Sequence, residues 1–390
     1  MATSGYLFVA PFPSSAGVRA FALLVALGAL GIDIWKNGGT PARLPRAVLF
    51  AGIAWLGWCT ATLLWSERPA YSLEELQREL GYGSLAFIAF FAGTRGAGDA
   101  RRAVAVLFGG ALLFGLFEWI AVLHPELRLA ERYRSADGSF STHLVIVAPL
   151  LALVASGEAP GLRAPPSLTV ALALGLVAAG LASENRMLWI ALLAQLACAF
   201  YVNRRLGGGP LGARPRRMLA VALGVIVLAL AASWLHKAAR YYPEAAGALQ
   251  SLEFDQRPAI WTASLPLFLD RPWVGHGFGR EILHDRFEAA VPSASRGPRI
   301  DHAHNVFIDV ALATGVVGLV LFAGLLLALL RAFLDAGRRP AGASVAIAGT
   351  AMTVGFLVKS LTDDFYFRPN SLVFWALSGV LLALSARPRG

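Results

Sequence analysis

The sequence predicts an all-α polytopic membrane protein with about 11–12 transmembrane helices and one large loop that contains short helices. Three observations support this fold class: AVILMFWYC residues make up 57% of the 390 residues, DEKR residues make up only 15%, and the mean hydropathy is +0.61. Soluble proteins average about 25% charged residues. A chain with so few charges lacks the polar surface that a soluble globular protein or a disordered chain requires.

Apolar runs of about the length that crosses a bilayer recur along the whole chain. We predict eleven spans, at residues 18–35, 46–65, 77–93, 101–123, 140–156, 167–183, 187–203, 218–235, 306–334, 343–361 and 371–386. The short apolar stretch from Tyr6 to Phe12 is a candidate remnant of a twelfth span. The chain is therefore expected to form a single integral membrane domain over residues 1–390, with the large loop at residues 236–304.

The positive charges of the short connections predict the orientation. Alternate connections hold 17 Lys and Arg residues in one set and 7 in the other. Because cytoplasmic loops carry the excess of positive charge, the first set, which includes residues 203–217, is assigned to the cytoplasm. The net charge of +10 then reflects topology, and no nucleic-acid partner is expected. The large loop lies on the opposite side, which is the periplasm in a bacterium with two membranes.

Histidines are concentrated on the predicted outer side. Five of the seven lie in the large loop and two lie at or near the outer ends of spans, namely His236, His276, His284, His302 and His304, then His124 and His143. Histidine is the usual proton-transfer residue near neutral pH. The pattern favours chemistry at the outer surface over histidines that are merely tolerated in wet loops.

The large loop contains two further patterned segments. Trp261, Leu265 and Phe268 follow one another at helical spacing, which predicts a helix that lies on the membrane or caps the bundle. In the segment 271–279, glycines at alternate positions suit a tight loop where backbone approaches another chain segment or a ligand. We therefore include Gly275 and Gly277 among the candidate substrate-binding residues. The segment is not a dinucleotide-binding motif, because no strand precedes it and the spacing differs.

A metal site is the alternative use of the paired histidines. His302 and His304 are two residues apart and would both face one ion in an extended segment. The loop offers no cysteine ligand and no tight carboxylate cluster beside them. We therefore predict no metal site and no cofactor.

Arginines near the outer surface are candidates for binding a phosphate-bearing lipid. Arg186 lies between two apolar spans, where an arginine is costly and often functional; snorkelling or pairing with Glu184 is the alternative. Arg257 lies in the large loop, and two such guanidinium groups can bind phosphate oxygens bidentately. Arg132 and Arg134 could add to the positive field, or be ordinary loop arginines.

These residues resemble the motifs of the O-antigen ligase family of bacterial envelope glycosyltransferases. In that family a His-Asn pair is followed by nine residues, a glycine, two residues and a second glycine. Here the corresponding residues are His304, Asn305, Gly315 and Gly318. A second family motif is an arginine followed three residues later by leucine, after a short outer loop. Here Arg186 is followed by Met187, Leu188, Trp189 and then Ile190, which is a mild departure from the motif. The segments 257–261 and 275–279 are also similar to the family's large periplasmic loop.

The resemblance implies a reaction at the periplasmic face of the bacterial inner membrane. The donor would be a polysaccharide on undecaprenyl pyrophosphate, the acceptor a sugar hydroxyl of lipid A–core, and membrane lipids would surround the site. His304 would be the general base, and Arg186 and Arg257 would balance the pyrophosphate charge in an inverting, metal-independent transfer. His302 and Asn305 would help to bind substrate, with Asn305 orienting His304 or capping the next helix. The glycines Gly315 and Gly318 would permit close helix packing.

Two alternatives stay open at this point. O-antigen and exopolysaccharide polymerases share the His-Asn-Gly-Gly motif, and the acceptor that separates them from ligases is not visible in the sequence. A polysaccharide-lipid transporter also has many spans and charges within them. The sequence shows no internal repeat of the kind many transporters have, and its unusual groups gather at one surface, which favours an enzyme.

Overall fold

The computed structural model describes residues 2–37, 43–127, 137–156, 164–207, 213–241, 257–290, 302–339, 342–362 and 368–386. Within these ranges the chain forms helices joined by turns and contains no strand. In chain order the helices are α1 (Ala2–Val9), α2 (Ala16–Asn37), α3 (Arg46–Ala61), α4 (Pro69–Glu75), α5 (Tyr82–Gly93), α6 (Ala97–Leu123), α7 (Asp137–Val147), α8 (Leu151–Ser156), α9 (Pro166–Ala182), α10 (Arg186–Arg205), α11 (Ala213–Tyr241), α12 (Arg257–Asp270), α13 (His284–Ala290), α14 (Val306–Gly337), α15 (Ala343–Lys359) and α16 (Arg368–Ala386).

The helices have the length and the surface of membrane spans. In the described ranges, eight helical segments are long and apolar enough to cross a membrane. The two 17-residue apolar helices α9 and α15, and α5 with the π-helical turn Leu76–Gly81 before it, occupy the other three predicted positions. Large apolar side chains such as Phe21, Leu64 and Leu228 are exposed, at 68%, 87% and 71%. Such a surface suits lipid and not water, so the polytopic all-α prediction is confirmed.

Two boundaries differ from the predicted ones. The N-terminal apolar stretch forms the short helix α1, which buries Tyr6 and Leu7 against the bundle and packs on α2 and α6. Helix α11 continues to Tyr241, so the first residues of the loop predicted at 236–304 are helical. The described part of that loop, residues 257–290, contains the two short helices α12 and α13.

Helix α15 lies inside the bundle and packs between α10 and α14. Two of its glycines allow this close approach. A Cβ on Gly355 would lie 2.1 Å from Nε2 of Gln195 in α10, and a Cβ on Gly349 would lie 2.4 Å from the Phe333 ring of α14. Small residues at these contacts let the helix backbones come together in the apolar interior.

Helix α14 is broken at Gly315. This residue has φ 70° and ψ −175°, a backbone conformation that only glycine adopts without strain. The break leaves the carbonyls before it and the amides after it without their intrahelical partners. The expectation that Gly315 serves close helix packing is therefore incomplete. At Gly318 a Cβ would lie 2.0 Å from the Thr314 hydroxyl of the same helix and 3.1 Å from the Trp58 ring of α3, so close packing requires a glycine there.

The segment 271–277 supplies the missing backbone partners. The amides of His276 and Gly277 donate to the carbonyls of Leu312 and Ala313, each at 3.0 Å. After the break, Val316 N donates to Pro272 O at 2.8 Å and Val317 N donates to Trp273 O at 3.4 Å. One further carbonyl is paired from outside this segment, because Trp58 Nε1 of α3 donates to Thr314 O at 2.9 Å. Because lipid offers no hydrogen-bond partners, this pairing makes the broken helix compatible with a membrane.

We predict that Gly315→Ala strongly destabilises the protein. The new Cβ would lie 2.2 Å from the carbonyl carbon of Trp273, and the positive φ adds strain. Together these effects should cost about 3 kcal/mol or more. Thermal unfolding in detergent and the amount of protein inserted in membranes should both fall.

The matched control for this substitution is Gly324→Ala in the second half of α14. No atom lies within 4 Å of a Cβ placed there, so the change should be neutral or slightly stabilising, by up to about 1 kcal/mol. Equal unfolding temperatures for the two variants would contradict the role of Gly315.

Candidate functional site

The three predicted catalytic residues lie at helix N-terminal ends on the same side of the bundle. Arg186 is the first residue of α10, and Arg257 is the first described residue of α12. His304 directly precedes Asn305, which caps α14: its Oδ1 accepts from Phe307 N at 2.9 Å and from Ile308 N at 3.3 Å. The predicted helix-capping role of Asn305 is therefore what the structure shows.

The end of helix α15 brings these three helix starts together. The carbonyls of three consecutive residues accept hydrogen bonds from the other elements. Ser360 O accepts from Val306 N at 3.0 Å, Leu361 O from Asn305 Nδ2 at 3.0 Å, and Thr362 O from Arg257 Nε at 2.6 Å. These contacts hold the start of α14 and the start of α12 against one short segment, residues 360–362.

Helix α10 joins the same point through Lys359. This lysine is 1% exposed, and its Nζ donates to Asn185 Oδ1 at 3.0 Å. Asn185 is the N-cap of α10, because the same Oδ1 accepts from Met187 N at 3.1 Å. The ammonium group therefore fixes the turn from which Arg186 extends, and the segment 359–362 links Arg186, Arg257 and His304.

The backbone of His304 is held in a left-handed conformation. Its φ is 52°, which is uncommon for a residue with a side chain and costs free energy unless its surroundings enforce it. The peptide of the preceding residue is fixed at both ends. Ala303 N donates to Asp309 Oδ1 at 2.7 Å, and Ala303 O accepts from Trp261 Nε1 at 2.9 Å. Strain held in this way is typical of residues whose side chains must take one orientation.

His302 is packed against His304 and does not face solvent. The two imidazole centroids are 4.1 Å apart, and His302 is 6% exposed. A guanidinium nitrogen of Arg280 donates to Nε2 of His302. Because a guanidinium group can only donate, Nε2 of His302 is the acceptor in this contact. His302 thus supports His304 from one side, which fits the expectation of a helper and not of a second base.

Arg186 lies in a polar turn that also involves helix α11. Its guanidinium carbon is 5.4 Å from the centroid of the Trp234 ring. Glu184, which has φ 48°, lies with its carboxylate 3.1 Å from His236 Nε2. The Trp189 indole of α10 donates to Ser233 of α11 at 2.8 Å. The start of α10 is therefore fixed against α11 as well as α15.

A cluster of acidic and basic side chains braces the loop behind the site. His276 is fully buried; its Nδ1 is 2.6 Å from Glu67 Oε1, and its Nε2 donates to Leu267 O at 2.8 Å. Arg286 donates to Glu67 at 2.9 Å and to Asp270 at 2.8 Å. The hydrogen bond from Arg286 lowers the pKa of Asp270 below its ordinary value. The cluster joins the end of α12 to the turn after α3.

The same cluster has the spacing of a metal site. Ligand atoms of Glu67, Asp270 and His276 lie within 4.8 Å of one another, and no other group of three such residues does so in the described ranges. The sequence did not predict it. The guanidinium of Arg286 already donates to both carboxylates, and both ring nitrogens of His276 have partners. These contacts fit a structural brace better than a metal-ligand set.

The other predicted site residues have different surroundings. A Cβ on Gly275 would lie 2.5 Å from the backbone of Ala313, and one on Gly277 would lie 2.3 Å from the Ser66 hydroxyl. Both glycines therefore lie where backbone meets another part of the chain, and substrate binding by them stays a prediction. Arg132 and Arg134 lie outside the described residues.

Sequence reasoning missed three residues that organise the site. Lys359 is a charge inside a predicted span, which is itself a signal of function. Asp309 is an acid in the first turn of α14, and Asn185 occupies a capping position. Lys359 and Asp309 were missed because they lie within runs whose mean hydropathy is high.

Comparison with known proteins gives a consistent result. A sequence model of the O-antigen ligase family matches residues 170–323. An O-antigen ligase from Pseudomonas aeruginosa is 30% identical over 131 residues, which are 33% of this chain and 29% of that protein. The matched part of the chain thus covers less than a third of the length of that relative.

The matched residues 170–323 include Arg186, Arg257, His302, His304 and Asn305. They extend from α9 through the described part of the large loop to the first half of α14, beyond the break at Gly315. The resemblance carried by the motifs is therefore confirmed by an independent comparison, and residues 170–323 of the chain are similar to the O-antigen ligase family.

Proposed function

We propose that this protein is an O-antigen ligase-type glycosyltransferase of the bacterial inner membrane. It transfers O-antigen or a related polysaccharide from undecaprenyl pyrophosphate to a sugar hydroxyl of lipid A–core at the periplasmic face. The observation that carries the proposal is the convergence of Arg186, Arg257 and His304 on residues 359–362. The family match over residues 170–323 supports the reaction class.

The chemistry needs a base and a stabilised leaving group. In the proposed step, His304 removes the proton of the acceptor hydroxyl while its oxygen bonds to the anomeric carbon of the donor. The bond from that carbon to the pyrophosphate oxygen breaks, and undecaprenyl pyrophosphate leaves with the electron pair. Attack opposite the leaving group inverts the anomeric centre. The strained, doubly held backbone at His304 supports a fixed direction of approach.

The positive groups provide charge at the leaving pyrophosphate. Arg186 and Arg257 extend from helix starts, where the orphan amides add partial positive charge. Planar guanidinium groups bind phosphate oxygens in pairs, and in a site shielded from water their field is strong. Two arginines can thus do the electrostatic work that a divalent ion does in many soluble transferases, and we propose a metal-independent reaction.

The membrane distribution of charge supports the periplasmic placement. Basic residues are concentrated in the connections opposite the site, with 17 Lys and Arg residues against 7. By the positive-inside rule the site is then periplasmic, where a polysaccharide on a lipid carrier and lipid A–core are both accessible.

We predict that a strain lacking this protein accumulates lipid A–core without any polymer. The reason is that a ligase makes the bond between core and polymer, whereas a polymerase only lengthens the chain. Gel profiles of extracted lipopolysaccharide measure this directly. Lipid A–core that still carries a single repeat unit would contradict the ligase assignment and favour a polymerase.

We predict that His304→Ala lowers transfer by about 10²- to 10⁴-fold, because loss of a general base has typically that effect. His302→Ala should be milder, since His302 acts through its contact with His304. Transfer is measured in membranes at matched protein levels.

The exposed His124 at the end of α6 offers the control, and His124→Ala should retain full activity. Near-normal turnover in His304→Ala would remove the base from this mechanism and leave the arginines as positioning groups.

We predict that Arg186→Lys and Arg257→Lys each lose at least about tenfold in transfer. Lysine keeps the charge but loses the planar pair of donors that fits phosphate. Arg257→Lys also loses the hydrogen bond to Thr362 O. Arg101→Lys, a change to an exposed arginine at the other end of the bundle, is the control.

Because Arg186 and Arg257 would balance the pyrophosphate charge without a metal ion, we expect wild-type transfer to be resistant to excess EDTA. Activity that a chelator abolishes and Mg²⁺ or Mn²⁺ restores would show that the two arginines do not balance the pyrophosphate charge alone.

A further inference from the structure

An open cavity lies beside the segment that carries His302 and His304, and the space between its walls, counted with its solvent-filled mouth, is about 550 Å³. It is formed by α3, the turn after α4, the loop before α13, the start of α14 and the start of α16. Its lining combines aromatic, apolar and charged side chains, of which Trp55, Phe278, Glu75, Glu79, Asp309 and Arg280 matter most here. The reaction proposed above does not assign this cavity.

The charged lining is mainly acidic. Glu75, Glu79 and Asp309 are buried, at 1%, 5% and 6% exposure. Against these three carboxylates the lining contains the guanidinium of Arg280, and Arg78 approaches Glu75 at 3.8 Å from outside. A pyrophosphate placed here would meet like charges, so this cavity does not suit the charged part of the donor. Carboxylates are acceptors only, and hydroxyl groups are the donors that match them.

The carboxylates are also too far apart to form a compact metal site. In the described ranges, only Glu67, Asp270 and His276 bring three ligand atoms within 4.8 Å of one another. Glu75, Glu79 and Asp309 do not form such a group. Several acceptors along one open cavity suit a ligand with several hydroxyl groups, and the opening to solvent leaves a path for such a ligand to enter.

Trp55 gives an independent indication of a ligand. It is 3% exposed and lines the cavity, and its indole N–H has no hydrogen-bond partner among the described residues. A buried donor without a partner is rare and costs free energy. A hydroxyl or ring oxygen of a ligand would accept from it. The rings of Trp55 and Phe278, with centroids 6.5 Å apart, offer apolar faces for the C–H side of a sugar.

The cavity is connected to the proposed base by direct contacts. Arg280 lines the cavity and donates to His302, whose ring is 4.1 Å from that of His304. Asp309 lines the cavity and accepts from the amide of Ala303, between the two histidines. A ligand bound here is therefore linked to the His304 imidazole through Arg280 and His302.

We propose that this cavity binds the acceptor as a neutral, hydroxyl-rich sugar unit held by Glu75, Glu79 and the Trp55 N–H. The inference rests on the proposed transfer reaction and adds the acceptor subsite to it. The arginines and the end of α15 then form the donor side, the cavity forms the acceptor side, and His304 lies between them.

The test is direct binding together with kinetics. The probe is lipid A–core extracted from a strain that lacks this protein, titrated into the purified full-length protein in nanodiscs by microscale thermophoresis. Glu79→Gln should raise the Kd of lipid A–core and the acceptor KM by about tenfold or more, because a hydrogen bond to a charged group is lost. Trp55→Phe, which keeps an aromatic ring, should raise both by about threefold to tenfold. The donor KM should not change.

Glu74→Gln is the matched control, because Glu74 is one residue from Glu75, is 51% exposed and does not line the cavity. It should bind lipid A–core like the wild type. Thermal unfolding of each variant is recorded, and if Glu79→Gln unfolds early, Glu75→Gln and Trp55→Phe still decide the question.

The outcomes separate the two proposals. Binding of lipid A–core without any transfer by the wild type would refute the ligase function but leave the cavity as its binding site. Wild-type acceptor affinity in Glu79→Gln, Glu75→Gln and Trp55→Phe would overturn the subsite. A rise in donor KM with no change in acceptor KM would do the same, because the cavity would then hold the donor's sugar.

Discussion

The backbone pairing between the segment 271–277 and the broken helix α14 is the constraint on which the rest of the site depends. A helix interrupted in an apolar environment leaves carbonyls and amides that must find partners. Here the amides of His276 and Gly277 donate to the unpaired carbonyls, and the carbonyls of Pro272 and Trp273 accept from the unpaired amides. Because these contacts are between backbone atoms, the position of the loop follows from chain geometry. The loop in turn places Phe278 and Arg280 in the cavity, and Arg280 holds His302 beside His304.

The second organising element is the end of helix α15. Three elements that begin at distant points in the chain are joined by four consecutive residues, 359–362, through one side chain and three carbonyls. Such an arrangement fixes the distances between the proposed charge-balancing groups and the proposed base before any substrate binds, which is the main structural contribution to catalysis by orientation. The ammonium of Lys359, costly in an apolar interior, is tolerated because it holds the cap of α10.

The sequence predicted the general features of the fold because they depend on composition. Apolar runs gave a polytopic all-α chain, and the structure has helices at each predicted span. The motifs also located the candidate residues, and the helix cap at Asn305 follows from residue type. The rest depends on contacts between distant segments. Gly315 has the sequence context of a helix-packing glycine, and only the approach of Trp273 shows that it is a break. Lys359, Glu75 and Glu79 lie in or beside apolar runs, and nothing in their neighbours in sequence shows which helices they face.

The break in α14 also bears on how the protein is made. The segment 271–277 precedes Gly315 in the chain, so a ribosome completes the loop before the helix that needs it. When α14 is synthesised, the segment that holds the partners for its unpaired carbonyls is already part of the chain. A chain in which α14 preceded the segment 271–277 would have to insert its unpaired carbonyls and amides into lipid before their partners were synthesised. This order of the two elements allows the pairing to form as soon as α14 is made, and a circular permutation opened between them should insert poorly even though it could form every native contact.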